Sequence, residues 1–353
     1  MTAVAGSDGE RHGDRRLVRM VHTVLMPGFT GTSVPPWLAR AIEDGLASVL
    51  YFTPNLADAP ARLSAELHEL RPDLLCASDE EGGTVSRLHA ANGSPYPGHG
   101  ELGAAGDTAH TRDVAEAMGR ELSSVGIGAA LAPVMDVNVD PANPVIGMRS
   151  FGAAPDTVAR HGTAFIAGLH AAGVAAAAKH FPGHGDTRVD SHVDLPVIDI
   201  DLATLRRREL PPFAAAISAG VDMVMVGHIG IPVLDGTVPA SVSPRVYALL
   251  RAELGFTGVA LTDALDMRGL TAFTGAGEMR EHLARGSVAA LAAGADLLCL
   301  GNPSTAGAGD EEMFAAARDG LLEAVRGGAV SRARLADAAD RVERLVARVR
   351  GPE

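Results

Sequence analysis

The segment "KHFPGHGDTRVDSHVDLP", residues 179 to 196, concentrates side chains that can carry protons or bind polar ligands. It contains one Lys, three His and three Asp, with Gly and Pro between them. So many titratable groups in a stretch too polar and too broken for a core indicate a functional loop. Asp190 precedes His192 by two residues, so both side chains point the same way in extended backbone. Asp190 could then orient His192 and raise its basicity for acid–base chemistry.

Short apolar runs elsewhere in the chain end repeatedly in polar residues. These are Asp79, Asp136, Lys179, His180, His228, Asp263 and Asn302. A lone polar residue at a strand end can equally cap the next helix. However, the carboxyl ends of parallel strands meet at one face, so we expect these residues to converge there. Glycoside cleavage needs a proton donor for the leaving oxygen and an anion or base opposite it. Asp263, which follows the buried run "VALT", is the candidate anion.

The elements that must position these groups alternate between strands and helices along the whole chain. Eight apolar runs read as buried parallel strands, and amphipathic segments predict helices between them, at 58–71, 108–125, 156–172, 243–254 and 278–293. We therefore predict the α/β class and a single-domain (β/α)8 TIM-type barrel. An open doubly wound sheet is the alternative, weakened because no GxGxxG follows the first strand. Residues 1–14 are predicted to be a disordered tail, and 15–353 the barrel with a C-terminal helix at 331–350.

Composition restricts the partners. The net charge of -13 argues against nucleic acid and against an anionic membrane, so a small ligand is expected. Aromatic residues make up 4% of the chain and Trp37 is the only tryptophan, so a sugar would be held mainly by hydrogen bonds. Cys76 and Cys299 lie in apolar runs, which predicts buried thiols, a reducing compartment and a cytoplasmic protein. No cofactor or metal is expected, and a monomer is the default.

The quoted loop resembles the signature of bacterial β-N-acetylglucosaminidases of glycoside hydrolase family 3, of the type used in peptidoglycan recycling. The similarity continues through "DEEGGTVSRL", "LAPVMDVN", "RSFG" and "TDALDM" in the expected order, over roughly residues 20 to 300. Five motifs in order are a much stronger signal than one. Thr84 stands where the family commonly has Arg, and "MVGHI" replaces a more usual Ala before the His, which concerns fine specificity.

The resemblance implies a retaining exo-β-N-acetylglucosaminidase that acts on wall fragments. By position, Asp263 matches the nucleophile, His192 the acid/base and Asp190 its orienting partner. The sugar-binding set implied by the family is Asp79, Arg87, Arg149, Lys179 and His180, with Met225 lining the pocket. His184 and Asp186 belong to the motif without an assigned step.

Three other functions remain open from the sequence. A phosphorylase would use the same residues, because a deprotonated imidazole is neutral and does not repel phosphate. A metal-dependent hydrolase would take its ligands from His184, Asp186, Asp190 or His192. Barrel metallohydrolases commonly begin with a His-x-His at the first strand, and "TVLMPGF" has none. A non-catalytic sugar-binding barrel is the third alternative.

Overall fold

The computed structural model describes residues 4–187, 194–275 and 277–349. Its central element is a six-stranded parallel sheet in which neighbours in sequence are neighbours in space. The strands are Ser48–Tyr51, Leu75–Ser78, Ala129–Ala130, Ala175–Phe181, Met223–Val226 and Val259–Thr262. Their registers include Val49 opposite Cys76 and Met225 opposite Leu261. The predicted α/β class and parallel sheet are confirmed.

Two more parallel strands, Leu25–Met26 and Leu298–Cys299, pair with each other as a separate ladder. Isolated bridges, Gly28 to Leu50 and Leu261 to Leu297, connect this ladder to the two edges of the sheet. The eight predicted apolar runs thus all contain strands, but the continuous sheet has six. The outer two are only two residues long, which limits the ladder hydrogen bonds that they can form.

Helices precede and follow most strands. Those of eight or more residues are Val4–Thr23, Pro36–Glu43, Pro60–Leu70, Thr108–Ser124, Pro155–Ala171, Leu210–Ser218, Met279–Ala293, Asp310–Arg326 and Arg332–Val349. Shorter segments are Thr53–Leu56, His99–Ala105, Gly147–Arg149, Leu202–Thr204, Leu205–Glu209, Pro232–Asp235, Ala240–Val242, Pro244–Ala248, Leu249–Glu253, Arg268–Leu270, Thr271–Thr274 and Pro303–Ala306. Four of the five internal helices predicted from the sequence are confirmed within about two residues, and the fifth, at 243–254, is divided into the consecutive segments Pro244–Ala248 and Leu249–Glu253. Among the described residues, no helix combines the length and the apolar character that crossing a membrane requires.

A helix, Val4–Thr23, overlaps the tail predicted for residues 1–14, and the disorder of that tail stays a prediction. The second half of this helix is tied to the rest of the protein. Leu17 and Val21 are fully buried in the core, and Asp14 forms an ion pair of 2.7 Å with Arg326. Apolar burial of this kind stabilises a helix that its glycines would otherwise disfavour.

The side chains on the inner face of the sheet form their own apolar cluster. Alternate residues point inward along each strand, as in Leu75 and Ala77, Ala175 and Ala177, or Val259 and Leu261. Val342, Leu345 and Val346 of the last helix belong to the same cluster and cover it from the amino ends of the strands. A second, larger cluster lies between the outer face and the helices. The inner cluster therefore forms an apolar floor below the carboxyl ends.

Candidate active site

The inward alternation continues beyond the apolar floor into polar residues. Asp79 is two residues after Ala77, Lys179 two after Ala177, and Asp263 two after Leu261. All three line a cavity of about 590 Å³ at the carboxyl ends of the strands. Met225, buried at 4% exposure, lies at its base. Because every second residue of a strand points inward, each of these nonpolar strands places one charged side chain in the cavity.

The structure brings together the described part of the predicted site. The residues that line this one cavity are Asp79, Arg87, Arg149, Lys179, His180, Met225 and Asp263. Asp190 and His192, the predicted acid/base pair, lie outside the described residues. Their roles, like those of the other site residues, stay predictions.

Lys179 is the centre of the charge network. Its ammonium Nζ donates to Asp79 Oδ1 at 2.9 Å and lies 2.7 Å from Glu81 Oε1. Its side chain is only 2% exposed. Burial opposes the charge of Lys179, but Asp79 and Glu81 outweigh it and raise the pKa. Lys179 is therefore a fixed cation that presents hydrogen-bond donors to the cavity wall.

Two arginines complete this network from neighbouring loops. Arg149 donates through Nε and Nη2 to both oxygens of Glu81, at 2.9 and 2.7 Å. Arg87 donates to Asp79 Oδ2 at 3.1 Å. Burial disfavours ionisation of Asp79, but Lys179 and Arg87 together outweigh it and lower its pKa to about 2. The carboxylates therefore stay ionised and hold the cations in place at neutral pH.

Glu80 has a structural role between these two ionised neighbours. Its Oε1 accepts hydrogen bonds from the backbone N–H groups of Arg87 and Leu88, at 2.9 and 2.7 Å. Glu80 lies in the strand Glu80–Gly82, which pairs with Val85–Ser86 as a short antiparallel hairpin. This hairpin folds the chain back, so that Arg87 reaches Asp79.

Asp136 organises the start of the loop after the strand Ala175–Phe181. Its Oδ2 accepts from His180 Nδ1 at 2.7 Å, and its Oδ1 from the backbone N–H groups of His180 and His184, at 3.1 and 2.8 Å. Burial opposes ionisation of Asp136, but His180 outweighs it and lowers the pKa. The ring of His180 is thereby held in one orientation at the cavity wall.

Backbone contacts help to position Asp263. Its Oδ1 accepts from the N–H of Ala264 at 2.8 Å. The carbonyl of Ala264 in turn lies 2.9 Å from Nε2 of His228, whose Nδ1 is 2.6 Å from the hydroxyl of Ser241. His228 is fully buried, so this chain of bonds sets the position of the backbone on which Asp263 sits. His228 thus connects the backbone carbonyl of Ala264 to the hydroxyl of Ser241.

His184 and Asp186, two of the residues that could act as metal ligands, bond to other side chains. Nδ1 of His184 lies 2.6 Å from the hydroxyl of Thr187, and burial lowers the His184 pKa to about 4. Asp186 accepts from Arg208 at 2.6 Å. Within the described ranges, no cluster of three or more His, Cys, Asp or Glu side chains has an arrangement that could hold a metal ion.

Other residues line the cavity besides the predicted sugar-binding set. Glu81, which follows Asp79 in "DEEGG", joins Lys179 to Arg149. Arg268, which was not predicted, lies five residues after Asp263 and lines the cavity, as does Asn302, which was predicted from its strand end. Asn302 also caps the helix Pro303–Ala306 by accepting from the N–H of Ser304. The spacing from a strand end was the available signal for Arg268.

Comparison with known proteins agrees with this architecture. The model of the glycosyl hydrolase family 3 N terminal domain matches residues 43–345. The beta-hexosaminidase A of Pseudoalteromonas piscicida is 38% identical over 268 residues, which cover 69% of this chain and 45% of that protein. The chain thus spans less than half of that relative.

Two solved structures are also similar. The glycoside hydrolase family 3 beta-N-acetylglucosaminidase of Paenibacillus sp. superposes with a TM-score of 0.86 at 40% identity, over 94% of this chain and 62% of that one. The beta-N-acetylhexosaminidase of Beutenbergia cavernae gives a TM-score of 0.81 at 30% identity, over 94% and 98%.

The carboxyl ends of the strands in a parallel α/β sheet are a common place for ligand binding, and the charged cavity lies there. The family match covers most of the chain. The chain belongs to glycosyl hydrolase family 3. The predicted family is confirmed.

Proposed function

We propose that the protein is a retaining exo-β-N-acetylglucosaminidase. The observation that carries this proposal is the position of Asp263, which lines one cavity with the buried Lys179 and Asp79 pair. The names of the relatives from Pseudoalteromonas, Paenibacillus and Beutenbergia, all hexosaminidases or N-acetylglucosaminidases, support the same reaction class.

The terminal sugar is held by the charged network. Lys179, Arg87 and Arg149 supply donors to its hydroxyl groups, and Asp79 accepts from them. Because these side chains already bond to one another, little ordering is required when the sugar binds. The apolar side chain of Met225 and the floor beneath it exclude water from one side of the ring.

The chemistry is a double displacement. Asp263 attacks the anomeric carbon as the glycosidic bond breaks, and His192, oriented by Asp190, gives its proton to the leaving oxygen. Water then attacks the glycosyl ester, His192 takes a proton from it, and the Asp263 carboxylate is released. Two inversions retain the β configuration.

We further propose that the eight parallel strands close into a ring. The bridges from Gly28 to Leu50 and from Leu261 to Leu297 support closure, since they join the short ladder to both edges of the six-stranded sheet. A ring would place Asp79, Lys179 and Asp263 around one rim, as catalytic groups of such barrels are placed.

Wall fragments containing N-acetylglucosamine are the proposed substrates, because the sequence motifs resemble enzymes of peptidoglycan recycling. A cytoplasmic monomer is the proposed state. The free, buried thiols of Cys76 and Cys299 fit a reducing compartment. Cell fractionation and analytical ultracentrifugation test these two points.

The reaction itself is tested with a nitrophenyl β-N-acetylglucosaminide. We expect hydrolysis that survives thorough chelation, with the β-anomer of N-acetylglucosamine appearing first by NMR. First appearance of the α-anomer would contradict the nucleophile role. Dominant N-acetylglucosamine phosphate in phosphate buffer would indicate the phosphorylase instead.

A further inference from the structure

The segment that follows Asp263 forms one wall of the cavity. Asp266, Met267 and Arg268 all line it, and Arg268 begins the short helix Arg268–Leu270. The side chains that hold the terminal sugar in the proposed function lie deeper, with Lys179 only 2% exposed. Arg268 is exposed to solvent while contacting the same cavity. It therefore lies at the opening.

Arg268 also differs from the other cations of the cavity in its partners. Lys179 and Arg87 are paired with Asp79, and Arg149 is paired with Glu81. In the stretches of chain that the structure describes, no carboxylate lies within ion-pair range of Arg268. Its guanidinium retains its donors for a ligand.

The orientation of the bound substrate determines which of its groups Arg268 contacts. An enzyme that removes a terminal sugar binds that sugar at the closed end of its cavity, and the rest of the substrate extends toward the opening. Resting on the proposed function, we propose that Arg268 is a specificity residue that selects substrates with a carboxylate on the group to be released.

The chemistry of the guanidinium supports a carboxylate as its ligand. Arginine presents its donors in a planar fork that binds both oxygens of a carboxylate, whereas a hydroxyl group accepts one bond. In wall fragments the carboxylate has two sources. It belongs either to the lactyl ether of muramic acid or, where that group is amidated, to the attached peptide.

Four substrates distinguish these sources. They are the disaccharide of two N-acetylglucosamines, N-acetylglucosaminyl-muramic acid, the methylamide of its lactyl group, and the disaccharide carrying a dipeptide. We expect Arg268→Gln to lower kcat/KM about tenfold for substrates whose carboxylate it binds, through KM more than kcat. The neutral disaccharide and the methylamide should change by less than about twofold.

Arg280→Gln is the matched control. Arg280 is also exposed and follows Met279, a cavity residue, but does not itself line the cavity. Arg280→Gln should leave kcat/KM for all four substrates unchanged. Arg268→Lys should retain part of the preference for substrates with a carboxylate. Added salt should reduce the preference of the wild-type protein, because an exposed ion pair is screened.

The outcomes of these experiments distinguish a failure of the Arg268 proposal from a failure of the proposed function. If the wild-type protein hydrolyses none of the four substrates and no nitrophenyl glycoside, the proposed function fails. If it hydrolyses them but Arg268→Gln affects charged and neutral substrates equally, or affects none, the carboxylate role of Arg268 is wrong. A loss confined to the lactyl acid or to the dipeptide substrate identifies the source.

Discussion

Buried ion pairs lie at both ends of the sheet, yet the two sets are built differently. At the carboxyl ends, Lys179 and its carboxylates face a cavity of about 590 Å³. At the amino ends, Asp296 is fully buried and accepts from Arg334 Nη2 at 2.6 Å and from Arg251. Both sets pair carboxylates with basic side chains.

The difference lies in where the remaining hydrogen bonds go. Asp296 also accepts from the backbone N–H of Ala260 at 3.0 Å, and Arg251 donates to the carbonyls of Phe256 and Gly258, both at 2.8 Å. The amino-end set is therefore joined to the backbone and stabilises the fold. The carboxyl-end set bonds chiefly to its own side chains and keeps a surface for a ligand. Residue type alone does not separate a structural network from a binding one, but the adjoining space does.

The largest expected effect is at Asp263, in the carboxyl-end region. Asp263→Asn should reduce kcat at least about 1000-fold, because a neutral amide cannot form the glycosyl ester. The unfolding midpoint should stay close to that of the wild type. Steady-state kinetics and urea denaturation measure both. A burst of product from this variant would contradict the assignment.

Asp296 should show the opposite pattern. Asp296→Ala leaves two partly buried guanidinium groups without the anion that they share, so we expect a loss of about 3 kcal/mol in the free energy of unfolding. The kcat/KM of the folded fraction should be unchanged, since Asp296 does not line the cavity. A loss of activity with full stability would remove the contrast between the two ends.

Lys179 provides the intermediate case. Lys179→Met removes donors from the sugar, and we expect kcat/KM to fall about 30-fold, which corresponds to about 2 kcal/mol. Stability should fall less than in Asp296→Ala, because Asp79 and Glu81 keep their arginines. Kinetics with a nitrophenyl glycoside and urea denaturation give both quantities. A larger loss of stability than in Asp296→Ala would place Lys179 among the structural pairs.

The smallest effect concerns acid stability. The pKa of Asp79 is lowered from 3.8 to about 2 in the folded protein. Such a carboxyl stabilises the fold above its unfolded pKa, and the contribution is lost as the pH falls through the folded value. About 2 kcal/mol should thus disappear between about pH 4 and pH 2.

Urea denaturation over this range measures the slope of stability against pH in the wild type and in Asp79→Asn. The substitution should flatten the slope. The exposed Asp58→Asn is the control and should keep it. Equal slopes in all three proteins would show that Asp79 is not specifically stabilised as an anion.

Much of the framework was predictable because it follows from local rules. Gly126 and Gly220 lie just after the helices that end at Ser124 and Ser218, and their φ of +79° and +78° would strain other residues. Ser243 caps the helix Pro244–Ala248 as its sequence indicates. Strand ends likewise identified Asp79, Lys179 and Asp263, because inward alternation continues past the last apolar residue.

The rest depended on contacts between distant segments. The pairing of Glu81 with Arg149 joins residues 68 positions apart, and that of Asp136 with His180 joins residues 44 apart. No local pattern specifies such pairs. The closure of eight strands into a ring, predicted from their number, stays a proposal, since the outer two strands are only two residues long. The acid/base roles of Asp190 and His192 stay predictions.

Lys179 has a consequence for experiments on this protein, because it is the only lysine in the chain. All other basic side chains, apart from histidines, are arginines. Reagents that acylate amines can therefore react only at the N-terminal amine and at Lys179, whose ammonium is buried and held protonated by Asp79 and Glu81. Labelling through the N-terminus should leave the cavity untouched. Any second label would report directly that the carboxyl-end network has opened.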